Sequence, residues 1–253
     1  MKLSILMPAY NEIKWIAAAV DLVRTAPLDV KKELVIVDDG STDGTREWLQ
    51  STFGAETDVA TGSSSAVLDK RIGETLDVRV AFHDGNRGKG AALKTAMQHA
   101  SGDIIVVQDA DLEYDPADWK VMYDLIAVRR VADVVYGSRF YGKPHRSMFY
   151  HHYIANRLIS ILFNALFNQT LSDIEVCYKM FTREVMDTMR LTCEDFGVEI
   201  QISAQIARAG RWRIYEVGIH YFGRSYDQGK KIRWTDGLKA LYYIVKFRIR
   251  SGR

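Results

Sequence analysis

"IIVVQDADLEYDP", residues 104–116, decides how the fold is read. An apolar run, Ile104 to Val107, stops abruptly and gives way to Asp109, Asp111, Glu113 and Asp115. Four acids within seven residues repel one another. An ionised carboxylate near a core is costly unless it is paired or bound to a metal. A buried strand that runs straight into acids fits an open parallel sheet, where ligands bind beyond the carboxyl ends of the strands. Asp115 followed by Pro116 reads as a helix N-cap with proline at the first helical position, so a helix follows the acids.

Outward from this stretch the same rhythm repeats. "LSILM", "ELVIV", "VRVAF", "DIIVV" and "ADVVY" are short and rich in β-branched residues. Helical spacing separates them at roughly 11–25, 43–52, 88–100 and 116–129. Continuous rather than alternating apolar runs predict strands covered on both faces. The expected class is α/β, a Rossmann-like, mostly parallel central sheet flanked by helices. Gly102 and Gly210 read as helix stops. Residues 53–76 are small, polar and serine-rich without a clear period, and read as a surface insertion. In the second half, 146–168 and 234–253 read as apolar C-terminal amphipathic helices. Between them lie a candidate strand "EVCYKMF", a helix over 196–209 and a strand "RWRIYEV". The chain is expected to form a single domain over 1–253, with a ligand-binding half at 1–115 and a second half at 116–253.

Bulk properties narrow the function. Of 253 residues, 47% are hydrophobic and 26% charged, which supplies an ample core. A formal net charge of +2 gives no global field that calls for nucleic acid. Cys177 and Cys193 show no metal spacing, so a reduced, cytoplasmic compartment is expected. The apolar run in "MKLSILMPAYNE" is too short for a signal peptide, and no run of eighteen apolar residues suggests a membrane span.

The acids themselves suggest chemistry. If alternate residues of an extended turn face one side, Asp109, Asp111 and Glu113 bring oxygens to one hard cation, Mg²⁺ or Mn²⁺. The bland reading is a solvated turn that caps the next helix, and Asp115 with Pro116 fits it. A second acidic strand end, "VIVDDGSTDGT", favours the metal reading for Asp109 and Asp111. There Asp38 and Asp39 can accept hydrogen bonds from a nucleobase or ribose, and Asp43 can cap a turn. "MPAYNE" offers Pro8 to Glu12 at a third end. "HDGNRGKGAALKTA" feeds Gly88, Lys89 and Gly90 into a helix start, which suits phosphate.

Together, "SILMPAYNE", "VIVDDGSTDGT", "NRGKGAALKTA" and "QDADLEYDP" resemble the family 2 glycosyltransferases of the GT-A fold. The likeness continues through "VVYGSRF" and "SDIEVCYKMFTREV" to "YFGRSYDQGKKIRWTDGLKAL". Within the family it is most similar to the polyprenyl-phosphate sugar synthases, the dolichyl-phosphate mannose synthase group. The resemblance implies that Pro8, Ala9, Tyr10, Glu12 and Asp39 hold the nucleoside. Asp109, Ala110 and Asp111 would be the DxD element, with Glu113 where relatives often carry a glutamine that also faces the metal. Lys89 joins the nucleotide-sugar site. Arg139 would meet an acceptor phosphate. Asp173 occupies the acidic position near the donor sugar, and Glu199 is a second-choice acid. Arg224, Lys230 and Lys231 match a basic loop over the diphosphate. The chain departs from the family pattern at Val176, Cys177 and Tyr178, where Ser-Gly-Phe is common. Arg146, His151 and His152 are candidates for the acceptor phosphate, or else surface residues of a helix.

The expected activity is thus an inverting, metal-dependent transfer of sugar from a UDP- or GDP-linked donor to a polyprenyl phosphate. A soluble hydroxyl or saccharide acceptor is the alternative within the family. A nucleotidyltransferase would show a basic glycine-rich loop after the first strand, which "MPAYNE" lacks, and intact acids at 109, 111 and 173 argue against a non-catalytic module. The apolar faces of 146–168 and 234–253, rimmed by Arg146, Arg157, Lys246, Arg248, Arg250 and Arg253, suit the cytoplasmic face of a membrane or a contact between copies.

Overall fold

The computed structural model describes residues 1–54, 67–72, 76–142, 144–147, 149–224 and 234–249. Lys230, Lys231, Arg250 and Arg253 lie outside the described residues, as does most of the 53–76 segment. The chain alternates as the apolar runs predict. In order it forms β1 (Leu3–Ala9), α1 (Ile16–Thr25), β2 (Lys32–Asp38), α2 (Thr45–Phe53), β3 (Val67–Ile72), β4 (Leu76–Phe82), α3 (Lys89–His99) and β5 (Ile104–Val107). A broken helical stretch follows: a 3₁₀ turn Pro116–Asp118, α4 (Trp119–Tyr123) and a π turn Asp124–Val128. The remainder is β6 (Val134–Ser138), α5 (Tyr150–Phe167), β7 (Lys179–Thr182), α6 (Arg183–Thr188), α7 (Val198–Ala209), β8 (Ile214–Gly218) and α8 (Trp234–Ile249).

One eight-stranded sheet runs β3-β4-β2-β1-β5-β7-β6-β8. The pairs β1–β2, β1–β5, β2–β4 and β6–β8 are parallel, with Leu6 of β1 level with both Val35 and Val107. Every residue of β2, β5 and β6 is buried, which is why these strands read as unbroken apolar runs. The sheet is thus α/β and mostly parallel, with two corrections. Edge strand β3 runs antiparallel to β4 and comes from the segment read as an insertion. Its residues are half-buried or exposed, so no apolar run marks it. β7 runs antiparallel to both neighbours and spans only the end of "EVCYKMF".

Helix α5 buries Ile159, Phe163 and Phe167, spaced four apart on one face. Phe163 and Phe167 stack at 4.4 Å. Burying each such side chain stabilises the fold by about 1.5–3 kcal/mol. The other face exposes Leu158 and Ile161. Helix α8 packs beside α5 and α7. Gly210 ends α7 in a left-handed conformation, φ +64°, as its position suggested.

Candidate active site

The carboxyl ends of β1, β2, β4 and β5 meet at one edge, and their loops are laced together. Ala9 O accepts from Asp39 N at 2.8 Å. Asn11 donates its N–H to Ser41 Oγ at 2.9 Å and accepts from Thr42 N at 2.8 Å. Glu12 N donates to Thr45 Oγ1 at 2.9 Å. Asp43 caps this turn, accepting from Thr45 N and Ile13 N. Gly40 has φ +73°, and an added Cβ would sit 2.4 Å from the Gly85 carbonyl carbon, so only glycine fits where the second and fourth loops touch.

Both acids after β2 are buried and committed. Asp38 holds Arg46 Nε at 2.8 Å. Asp39 accepts from Gly88 N at 2.7 Å and Arg87 N at 3.0 Å, and its Oδ1 lies 2.7 Å from His83 Nδ1. His83 also reaches Thr95 Oγ1 at 2.9 Å. His83 opens the quoted "HDGNRGKGAALKTA" just beyond β4, but its bond to Asp39 is visible only in the fold.

The acid turn after β5 is not the extended arrangement assumed from alternation. Leu112 takes a left-handed conformation, φ +62°, and Asp111 Oδ1 accepts from Glu113 N at 3.1 Å. Leucine is strained there, a feature common where side chains are held for function. Asp115 caps the following turn through Ala117 N at 2.9 Å, as Pro116 implied. A strap, residues 219–224, is pinned over the acids. Phe222 N donates to Glu113 O at 2.9 Å, and Arg224 N donates to Glu113 Oε1 at 2.7 Å. Tyr221 donates its hydroxyl to Glu113 Oε2 at 3.0 Å. Asp118 accepts from His220 N at 2.6 Å. The Arg224 guanidinium then reaches Glu12 Oε2 at 3.1 Å and Asp111 Oδ2 at 2.9 Å. Arg224, Glu12, Asp111 and Glu113 therefore form one cluster, joined by contacts up to 212 residues apart in sequence.

Burial, with Asp109 and Glu113 beside it, pushes the Asp111 carboxyl up to about 7, against the pull of Arg224. Asp109 is held below its usual range, because Lys89 overcomes the effect of burial. Lys89 Nζ lies 2.8 Å from Asp109 Oδ1, 3.0 Å from Glu199 Oε1 and 2.9 Å from Cys177 Sγ. Lys179 Nζ lies 2.6 Å from Glu199 Oε2 and also donates to Val176 O. At the start of α3 most amides are already committed, Gly88 N to Asp39 among them. Gly90 N and Ala91 N both donate to Glu194 O, at 2.7 and 3.2 Å.

A second cluster lies beyond β6. Arg139 holds Asp173 in a bidentate pair, Nε to Oδ2 and Nη2 to Oδ1, both 2.7 Å, with Arg139 N adding a bond at 3.1 Å. Asp173 is wholly buried. The residues assigned to an acceptor phosphate and to proton transfer are thus bound first to each other. Arg139 also lies 5.4 Å over the Tyr221 ring, and Tyr114 stacks between Tyr178, at 4.8 Å, and Tyr221, at 5.5 Å. Tyr221 links the two clusters, since its hydroxyl meets Glu113. Glu175 makes no side-chain hydrogen bond or ion pair among the described residues. Burial, offset by Arg139 and reinforced by Asp173, raises its carboxyl to about 7. The sequence reading passed over Glu175, Lys179 and Tyr221. Arg146 donates to Gly223 O at 2.7 Å, so it braces the strap, and the His151 side chain is outside the described residues.

Carboxylates around Asp111 have the chemistry of a hard divalent cation site, and the raised proton affinity of Asp111 itself reflects burial first and then the negative charge of Asp109 and Glu113, which Arg224 offsets only in part. Among the described residues no three Asp, Glu, His or Cys side chains are yet arranged around one metal position, because the acids face Lys89 and Arg224. The oxygen donors of Asp109, Asp111 and Glu113 are of the type that Mg²⁺ or Mn²⁺ takes.

A strand-end site of this kind, on this sheet, defines an α/β enzyme of the GT-A fold. The chain belongs to glycosyl transferase family 2, whose model matches residues 4–190. It is 30% identical to glycosyltransferase AglJ of Haloferax volcanii, over 81% of this chain and 58% of that protein. It is 26% identical to dolichol-phosphate mannosyltransferase of Pyrococcus furiosus, over 98% of this chain and 64% of the relative. A third relative is undecaprenyl-phosphate 4-deoxy-4-formamido-L-arabinose transferase of Salmonella choleraesuis, 26% identical over 90% of this chain and 62% of the relative. The chain therefore spans about three fifths of the length of these relatives. Its fold is similar to that of glucosyl-3-phosphoglycerate synthase from Mycobacterium tuberculosis in complex with Mn²⁺, UDP and phosphoglyceric acid. The TM-score is 0.68 at 18% identity, covering 98% of this chain and 78% of that one. The same protein with Mg²⁺ and UDP gives 0.67, covering 99% and 80%.

Proposed function

We propose that this chain transfers a sugar, with inversion, from a UDP- or GDP-sugar to a polyprenyl phosphate at a membrane surface. The nucleoside is held by Pro8, Ala9, Tyr10 and Glu12, with Asp39 Oδ2 keeping acceptor capacity beyond its bond to Gly88. Asp109 and Asp111, with Glu113 beside them, hold Mg²⁺ or Mn²⁺, which offsets charge on the leaving diphosphate. Arg224 moves from the acids to the diphosphate oxygens, where a guanidinium binds in bidentate fashion. Lys230 and Lys231, which lie outside the described residues, are assigned to the same diphosphate by the family resemblance. A phosphate acceptor is already anionic near neutral pH and needs a positioned cation rather than a strong base. Arg139, oriented by Asp173, supplies that cation. Asp173 acts by aligning Arg139.

The observation that carries the lipid acceptor is the apolar surface of two neighbouring helices. α5 exposes Tyr150, Leu158 and Ile161, and α8 exposes Tyr242, Val245 and Ile249. Lys246 and Arg248 stand in the same last turn of α8. Among the described residues no helix is long and apolar enough to cross a membrane. Apolar groups with a basic rim suit an anionic leaflet, where each basic residue adds about 1 kcal/mol. The two named lipid-phosphate relatives support the same acceptor class. Flotation with anionic liposomes tests this reading. Binding at low salt that weakens on Ile161→Ser with Val245→Ser supports it. A protein that stays wholly unbound, and uses a short soluble phosphate as well as a lipid one, puts the soluble-acceptor reading first.

A further inference from the structure

Glu199 stands in the first turn of α7 with its side chain nearly buried, 6% exposed, and both of its oxygens are ion-paired, although Oε1 accepts no hydrogen bond among the described residues. One faces Lys89 at 3.0 Å and the other Lys179 at 2.6 Å. Lys179, Glu199, Lys89 and Asp109 thus form a row of alternating charges that ends on the acid turn. Their side chains are 0%, 6%, 8% and 18% exposed, so water screens them little. We propose that Glu199 is a positioning residue for the donor site: by sharing Lys89 with Asp109, it leaves Asp109 able to turn to a divalent cation bound with a nucleoside diphosphate. The inference rests on the donor-site reading above.

The charge count explains why. With Glu199 present, two buried cations face two buried anions. Without its charge, Lys89 and Lys179 face Asp109 alone. Lys89 then turns wholly to Asp109, and a net positive cluster repels the incoming metal. Cys177 Sγ, 2.9 Å from Lys89 Nζ, is too weak an acceptor to replace a carboxylate.

The test is Mn²⁺ affinity by electron paramagnetic resonance, in saturating UDP, together with metal-free UDP affinity by calorimetry. Glu199→Gln is expected to weaken Mn²⁺ binding by about tenfold or more without weakening metal-free UDP binding. Glu199→Asp keeps the charge and stays near wild type. Lys179→Met leaves one surplus negative charge and tightens Mn²⁺ binding. The double variant, Lys179→Met with Glu199→Gln, recovers most of the loss, which a merely structural role would not allow. Wild-type Mn²⁺ affinity in Glu199→Gln, or no recovery in the double variant, overturns the proposal. Should Glu199→Gln not fold, Lys179→Met decides alone: equal or weaker Mn²⁺ binding overturns it. A wild-type chain that binds no Mn²⁺ with UDP overturns the donor-site reading and this proposal together. A wild-type chain that binds it, with unmoved variants, overturns the proposal only.

Discussion

Glu175 and Asp111 are carboxyls that the folded chain raises to about 7. Unfolded, such groups titrate near 4. Between about pH 4 and 7 the folded chain therefore binds protons that the unfolded chain has released, so stability falls as pH rises through that window. Glu175 is the cleaner probe, because among the described residues it has no hydrogen-bonded or ion-paired partner to lose. Glu175→Gln should raise metal-free stability at pH 8 by an amount on the order of 3 kcal/mol and change little at pH 4.5. Urea midpoints at the two pH values check this, and an equal shift at both would contradict it. Arg139 makes the opposite case. Arg139→Ala leaves Asp173 buried and unpaired, and should cost about 3–5 kcal/mol of stability. Donor affinity, read by UDP titration of the folded fraction, should stay within about threefold, because Arg139 lies outside the nucleoside loops. A large loss of UDP affinity with unchanged stability would reverse the assignment.

At the scale of elements, two contacts position the site. The first is the docking of α3 on the loop before α7. A Cβ on Gly90 would sit 2.2 Å from Cys193 O, whereas one on Gly85 meets nothing within 4 Å. Gly90→Ala should force α3 away, carrying Lys89 from Asp109, and lower the melting temperature by several degrees. Gly85→Ala should leave it nearly unchanged. Equal melting curves for the two variants would contradict this account. The second contact is the strap at 219–224, where the family resemblance singled out Arg224 but nothing in the local pattern showed which acids hold it. Its anchors, Glu113, Asp118 and Glu12, are up to 212 residues away in sequence, and periodicity carries no information at that range. The acid turn was legible because charge next to a buried run needs a reason. The direction of β7 was not, because an apolar run looks the same read either way. Lys179 was overlooked for a related cause: one lysine inside an apolar strand reads as an edge residue until its buried partner Glu199 is seen. Edge strand β3 lacks any apolar run at all.

At the scale of the whole molecule, the sheet gathers the loops after β1, β2, β4 and β5 at one edge. The aromatic layer of Tyr178, Tyr114 and Tyr221 joins them to the Arg139–Asp173 pair. The two clusters were visible in sequence order, since strand-end acids and "GSRF" mark them. What sequence could not show is that the site's charges neutralise one another: Arg224 on Glu12 and Asp111, Lys89 on Asp109, Arg139 on Asp173. On the function proposed above, donor, metal and acceptor would each displace or share such a pair. The most direct measurement follows labelled sugar from UDP- and GDP-sugars, with Mn²⁺ or Mg²⁺, into the organic-extractable product of a polyprenyl phosphate in anionic liposomes. The account predicts label in the lipid fraction that is lost with excess chelator and falls by about a thousandfold or more in Asp111→Ala. Label released only into water-soluble products at a rate indifferent to the lipid, or full lipid labelling by Asp111→Ala in chelator, would contradict it.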